Sequence, residues 1–196
     1  MKYLSQKSEY KFITTLISEI IIDHKSLPEN VFQRGFNKFS LIDFDWIFSD
    51  GFFEKIINLL LISGDKSFYF AVLDPEPETY YFKHFKKYNI VEFNNDDSEN
   101  VYFNALNSDP GDSPADALSC NSSKLILFSE SKDWAFYCDR YYELCICAFS
   151  NNEVKEVFDI HFKEKVLNRN EIGNFISDMF SNNLGGIVEE FKKSFF

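Results

Sequence analysis

Three apolar runs separated by short polar stretches mark the second half of the chain. They cover residues 125–128, 134–138 and 144–149, and the polar stretches between them cover residues 129–133 and 139–143. Short apolar runs bounded by charged turns are typical of antiparallel strands joined by hairpins. The pattern therefore predicts a three-stranded meander with one well-buried face.

Outside the meander, apolar residues recur at spacings of three and four, which predicts helices. The predicted helices cover residues 10–22, 50–62 (with Ser49 or Asp50 as N-cap), 79–88, 154–158, 172–180 and 187–195. Two further strands are predicted at residues 67–73 and 90–93, the first ended by two prolines that cannot donate to a sheet. Residues 101–106 fit a strand or a short helix, and residues 114–118 fit a helical turn.

These elements predict an α+β fold: one domain over residues 1–196, with a mostly antiparallel sheet and helices from both termini packed on it. Helices are expected in residues 1–63 and 151–196, and the sheet in residues 64–150. The chain has 196 residues, 45% of them hydrophobic, which is enough for one core without a disulfide or metal to stabilise it.

The four cysteines are expected to be reduced. Cys138, Cys145 and Cys147 lie in predicted strands and Cys120 in a loop. A turn at residues 139–142 would pair residue 138 with 143 and residue 136 with 145, so that the three strand cysteines share one face. They lack the spacing typical of zinc ligands, and small apolar core side chains are the simpler interpretation.

The charge of the chain restricts its partners. It has 31 acidic and 20 basic residues, a formal charge of −11 and a pI near 4.7. Nucleic-acid binding is disfavoured because phosphate backbones are bound by lysine and arginine. No apolar stretch approaches the roughly 20 residues of a membrane span. We therefore expect no membrane association and a cytoplasmic location. A basic protein partner is favoured.

No motif specifies a reaction. The sequence contains no phosphate-binding loop, dinucleotide fingerprint, GxSxG elbow or HExxH helix, and its three histidines are far apart. No catalytic residue, cofactor or metal site is predicted. The acidic loops leave three alternatives open: catalysis by a metal-dependent hydrolase or glycosidase, a negative surface for a cationic protein, or a solubilising surface only.

Residue types that favour protein contacts cluster in three loops. Trp134 is expected in the core, and Arg140 is expected to pair with a nearby carboxylate such as Glu143. The candidate partner-binding residues are Asp74, Glu76, Glu78, Asp96, Asp97, Asp139, Arg140, Tyr141 and Tyr142.

Residues 68–149 resemble small bacterial immunity proteins of polymorphic toxin and contact-dependent inhibition systems. The resemblance rests on FYFAVLDPEPETYYFKHFKKYNIVEF, NALNSDPGDSPADAL and LILFSESKDWAFYCDRYYELCICAF, with W-A-x-Y-x-D-R-x-x-E-L the most specific part. It implies a non-enzymatic inhibitor that binds and occludes a cognate toxin domain, and it brings no catalytic or contact residues with it. With the acidic charge, it favours a basic, nuclease-like toxin. An enzyme with acidic loop residues and an intracellular adaptor are the alternatives.

Overall fold

In the computed structural model, which describes residues 1–111, 113–179 and 185–196, eight strands form one antiparallel sheet. The strands are β1 (Lys2–Tyr3), β2 (Lys38–Asp43), β3 (Ser67–Asp74), β4 (Ile90–Asn94), β5 (Lys124–Ser129), β6 (Trp134–Asp139), β7 (Leu144–Phe149) and β8 (Val166–Leu167). Their order across the sheet is β1-β4-β3-β5-β6-β7-β2-β8. The predicted single α+β domain is confirmed, and the β5–β6–β7 meander lies at its centre.

Seven helices within the described ranges cover the sheet. They are α1 (Lys7–Ile20), α2 (Phe52–Ser63), α3 (Tyr81–Phe85), α4 (Glu99–Asn107), α5 (Asn152–Phe162), α6 (Glu171–Met179) and α7 (Gly185–Phe195), with short 3₁₀ helices at Asp45–Phe48 and Pro114–Asp116. Residues 101–106, predicted as a strand or a short helix, therefore belong to helix α4. The Ser98 hydroxyl caps the start of this helix by accepting a hydrogen bond from the Val101 N–H. None of the helices in the described ranges has the length and apolar character needed to cross a bilayer.

Both faces of the meander are buried, and the prediction of one buried face is wrong. Trp134, Phe136 and Cys138 pack into a core with α2, α4 and α5, while Ala135 and Tyr137 pack into a second core with α1, α6 and α7. Strands covered on both faces consist of continuous apolar runs rather than alternating ones. The alternation rule nevertheless separated Trp134 from Tyr137 correctly, and Trp134 is fully buried as expected.

The terminal regions also contribute strands to the sheet, whereas only helices were expected there. All six residues of β2 pair with β7, and the two-residue strands β1 and β8 form the two edges. These segments are too short or too mixed in polarity to show a strand periodicity. The partner strand of β2 is also more than a hundred residues away in sequence. Phe180, the last residue of a predicted helical stripe, and Asp112, in an acidic loop, lie outside the described residues.

The cysteines differ from the expectation in two ways. Residue 138 pairs with residue 145, not 143, because the four-residue turn between β6 and β7 lies at residues 140–143, one residue later than predicted. A shift of two preserves the face, so Cys138, Cys145 and Cys147 do share one side of the sheet. Cys138 and Cys145, directly opposite each other, form a disulfide. Cys147 is a free, buried thiol whose pKa is raised by burial, and Cys120 is free and exposed.

Candidate functional site

A cleft of about 470 Å³ opens between α1 and the last residues of β3. The pairing of β3 with β5 shifts between Val72 and Asp74, so Leu73 is the extra residue of a β-bulge. The bulge bends the end of β3 beside α1. The cleft is lined by Tyr10, Thr14, Ile17, Ser18, Ile21, Ile22, Asp23, Lys25, Val72, Leu73, Glu76, Pro77, Ile90, Lys124 and Tyr137.

The loop after β3 holds Glu76 at the mouth of this cleft. Pro75 and Pro77 end the strand, since neither has an N–H to continue the ladder. The Glu76 carboxylate accepts hydrogen bonds from the backbone N–H groups of Glu78 (3.3 Å) and Thr79 (3.1 Å). The carboxylate is therefore oriented by its own loop.

Burial and nearby carboxylates act together on two tyrosines of the cleft. Burial, and then the charges of Glu76 and Glu78, raise the pKa of Tyr10 to about 12. Burial, and then the charges of Asp139 and Asp74, raise the pKa of Tyr137. Burial is the larger cause for both tyrosines, and the carboxylates add to it.

Lysines offset part of this charge. The Lys124 ammonium lies 3.8 Å from a carboxylate oxygen of Asp139, and Lys7 lies 4.0 Å from Glu78. Lys25 also lines the cleft. Two acidic residues (Asp23 and Glu76) and two lysines (Lys25 and Lys124) line the cleft, and the exposed carboxyl groups of Asp74 and Glu78 add negative charge beside it.

Asp139 contributes to this field from inside the protein. Its residue is only 2% exposed, and its carboxylate accepts from the Tyr141 N–H at 2.9 Å. Burial raises the pKa of Asp139 despite that hydrogen bond and the nearby Lys124. Asp139 thus orders the β6–β7 turn, and its carboxyl is not offered at the surface.

Arg140 is also held by its own fold. Its Nε donates to the Ser122 carbonyl (3.0 Å) and its Nη2 to the Ser119 carbonyl (2.8 Å). The guanidinium carbon lies 4.5 Å from the ring centre of Phe44. Arg140 pairs with a carboxylate, as expected, but the partner is Asp45 at 3.8 Å and not the suggested Glu143. Arg140 ties the β6–β7 turn to the loop before β5.

The tyrosines of the same turn differ in exposure. Tyr141 is 65% exposed, whereas Tyr142 is half-buried with its ring edge against Phe191 at 5.2 Å between centroids. Because Asp74 pairs with Lys124 and Lys124 with Asp139, this turn lies at the same end of the sheet as the cleft. Glu76, Glu78 and Tyr141 are therefore candidate residues brought to one end.

Asp96 and Asp97 lie at the opposite end of the sheet. They follow Asn94, which pairs with Ser67 at the start of β3, seven residues and roughly 23 Å from Asp74. Asp97 accepts from the Asn94 N–H (2.8 Å) and pairs with the Met1 amino group (2.8 Å). The predicted partner-binding residues thus form two separate groups.

Sequence reasoning missed most of the lining of the cleft. Tyr10, Asp23, Lys124 and Tyr137 were not among the candidate partner-binding residues, because helix periodicity and strand alternation gave them no place in a site. The two prolines after β3 were the only local sign of an irregular strand end. Among the residues that the structure describes, no group of three or more His, Cys, Asp or Glu side chains is arranged to hold a metal ion.

No protein-family model matches the sequence, and comparison with curated proteins and with solved structures finds no similar protein. The resemblance to immunity proteins stays a prediction.

Proposed function

We propose that this chain is a cytoplasmic immunity-type protein that binds and neutralises a basic toxin domain through the acidic end of its sheet. The observation that supports the proposal best is the group of exposed carboxylates at the cleft, with Asp74, Glu76 and Glu78 in one loop. The exposed Tyr141 at the same end adds an aromatic residue of the kind that dominates binding energies.

The net charge supports a basic partner. At −11 the whole chain attracts a cationic domain, and attraction of this kind raises association rates by about 10- to 1,000-fold at low salt. The cleft end adds a local negative field, so a basic domain would be oriented as well as attracted. A nuclease-like toxin has the required positive surface, because its substrate is a polyanion.

Co-expression with the toxin encoded by the adjacent gene tests the proposal. We expect growth rescue by the intact chain and a complex that elutes as one peak on a sizing column. The triple variant D74N/E76Q/E78Q should slow association about tenfold at low salt. No rescue and no complex would refute the toxin-binding role.

The matched control removes the same charge elsewhere. Glu153, Glu156 and Glu164 are exposed, lie outside the cleft and are not candidate partner-binding residues. E153Q/E156Q/E164Q should associate with the toxin nearly as fast as the unmodified chain. Equal slowing by the two triple variants would assign the effect to net charge and would contradict binding at the cleft.

A carboxylate-dependent hydrolase or glycosidase is the second candidate, and the concave shape of the cleft favours it. Glu76 and Asp23 both line the cavity, whose volume is within the usual range of small-molecule sites, about 300–1,000 Å³. A panel of chromogenic glycosides and esters tests this function. Turnover by the unmodified chain that disappears in D23N/E76Q would favour an enzyme over a binding protein.

A further inference from the structure

The cleft has an apolar interior as well as acidic residues. Ile17 of α1 and Ile21, the residue that follows the helix, form one wall, and Leu73 and Ile90 of the sheet form the other. Alkyl groups are stabilised on such walls by removal of their apolar surface from water. The volume of about 470 Å³ suits a short chain or a single long side chain.

The hydroxyl group of Tyr137 faces the cleft. Tyr137 is only 4% exposed and lines the cavity, and its hydroxyl makes no hydrogen bond within the described part of the chain. The hydroxyl oxygen is not fully buried, so it is open to the cleft. A ligand polar group in the cleft would satisfy it.

The surrounding charged residues determine which sign of charge a ligand in the cleft can carry. The negative charges of Asp74 and Asp139 lie close enough to the Tyr137 hydroxyl to raise its pKa. Glu76 lies beside Tyr10, whose hydroxyl is 3.5 Å from a Glu76 oxygen. Of the two lysines that line the cleft, Lys124 is paired with Asp139 at 3.8 Å, and the charge of Lys25 is balanced by that of Asp23 in the same lining. A carboxylate ligand would meet repulsion here, whereas an N–H donor with positive charge finds acceptors on two sides.

We propose that this cleft binds an amphipathic cation, an alkylammonium or alkylguanidinium group. Its alkyl part lies against Ile17, Leu73 and Ile90, and its cationic head donates to the Glu76 carboxylate and to the Tyr137 hydroxyl oxygen. The group comes either from a free amine or from a lysine or arginine side chain of a protein. The side-chain source rests on the proposed function, and the free amine does not.

The test titrates N-hexylguanidinium into the ¹⁵N-labelled full chain and follows backbone amide shifts. We expect saturable shifts in α1 and at the end of β3, with a Kd of roughly 1 mM for a ligand of this size. Hexanoate and hexanol are the matched probes without positive charge, and they should bind at least fivefold more weakly. Equal binding of either one, or no saturable shift up to about 20 mM, overturns the proposal.

Variants locate the site. Glu76→Gln keeps the shape and the loop hydrogen bonds but removes the charge, and it should weaken N-hexylguanidinium about fivefold. Tyr137→Phe should weaken it as well, since only the hydroxyl is lost. Glu190→Gln removes an exposed charge on α7 and should change nothing. Unchanged binding in both cleft variants overturns the proposal.

N-acetyl-arginine N-methylamide separates the two sources. Binding of this probe within about tenfold of N-hexylguanidinium supports a protein side chain, and binding of N-hexylguanidinium alone supports a free amine. The result is independent of the toxin experiment. Probe binding without toxin rescue refutes the proposed function only, and toxin rescue without probe binding refutes this inference only.

Discussion

Replacing Arg140 by alanine tests whether this residue is structural or a partner contact. The guanidinium group donates to two main-chain carbonyls and stacks on Phe44. Each hydrogen bond contributes about 1 kcal/mol net, and the cation–π contact about 0.5–1 kcal/mol. The ion pair with Asp45 adds little, because that carboxylate is 77% exposed. We therefore expect R140A to lower the free energy of unfolding by about 2–3 kcal/mol.

Urea unfolding followed by tryptophan fluorescence measures this loss, with the m-value checked for a constant two-state transition. A loss of that size is a large part of the roughly 5–15 kcal/mol that stabilises a typical domain. Asp45→Asn is the matched control for the ion pair and should cost less than about 0.5 kcal/mol. Arg140→Lys keeps the charge but not the planar fork, and its loss should lie between the two.

Two outcomes would refute this reasoning. If R140A costs less than about 0.5 kcal/mol, the hydrogen bonds to Ser119 and Ser122 do not stabilise the fold. If D45N costs as much as R140A, the ion pair rather than the carbonyl contacts holds the loop. A loss of toxin binding without a loss of stability would identify Arg140 as a partner contact instead.

Three further predictions follow from burial, bonding and backbone conformation. Because burial raises the pKa of Asp139 above its ordinary value of 3.8, its ionisation destabilises the folded state, so the stability of the unmodified chain relative to D139N should fall as pH rises through that raised pKa. A pH-independent difference in urea unfolding would contradict this. Iodoacetamide should modify only Cys120 in the folded chain, and only Cys120 and Cys147 after unfolding without reductant, because the other two cysteines are disulfide-bonded. Mass spectrometry that finds all four modified would show reduced thiols, the state usual in a cytosol. Gly64→Ala should cost about 1 kcal/mol, because Gly64 ends α2 at a φ of 73°. Gly35→Ala, at a position without positive φ or close neighbours, is the control in the same assay and should stay within about 0.5 kcal/mol.

Much of the local structure was predictable, because short-range periodicity controls it. The bounds of β7 match the predicted run residue for residue, and β3 is one residue longer than its prediction. Alternation correctly put Trp134 and Tyr137 on opposite faces of the sheet. The register of the β6–β7 hairpin was not predictable, because the position of the turn depends on hydrogen bonds such as that from the Tyr141 N–H to Asp139.

The candidate site was predictable only in part. The loop with Glu76 and Glu78 was identified from its charges and prolines, since both are local features. The other wall of the cleft was not, because Tyr10 of α1 is more than sixty residues from Glu76 in sequence. Tyr137 belongs to a strand whose neighbours are set by the order of the sheet. Neither residue differs in type or spacing from an ordinary core tyrosine.

The sequence by itself determined the strands of the meander, most of the helices, the α+β class and the acidic character of the chain, because each depends on neighbouring residues or on composition. Only the tertiary structure decided that helices cover both faces of the sheet, that Cys138 meets Cys145, and that Asp96 lies far from Glu76. These outcomes depend on which distant segments pair, and pairing is selected by the total burial of the whole chain rather than by any local pattern.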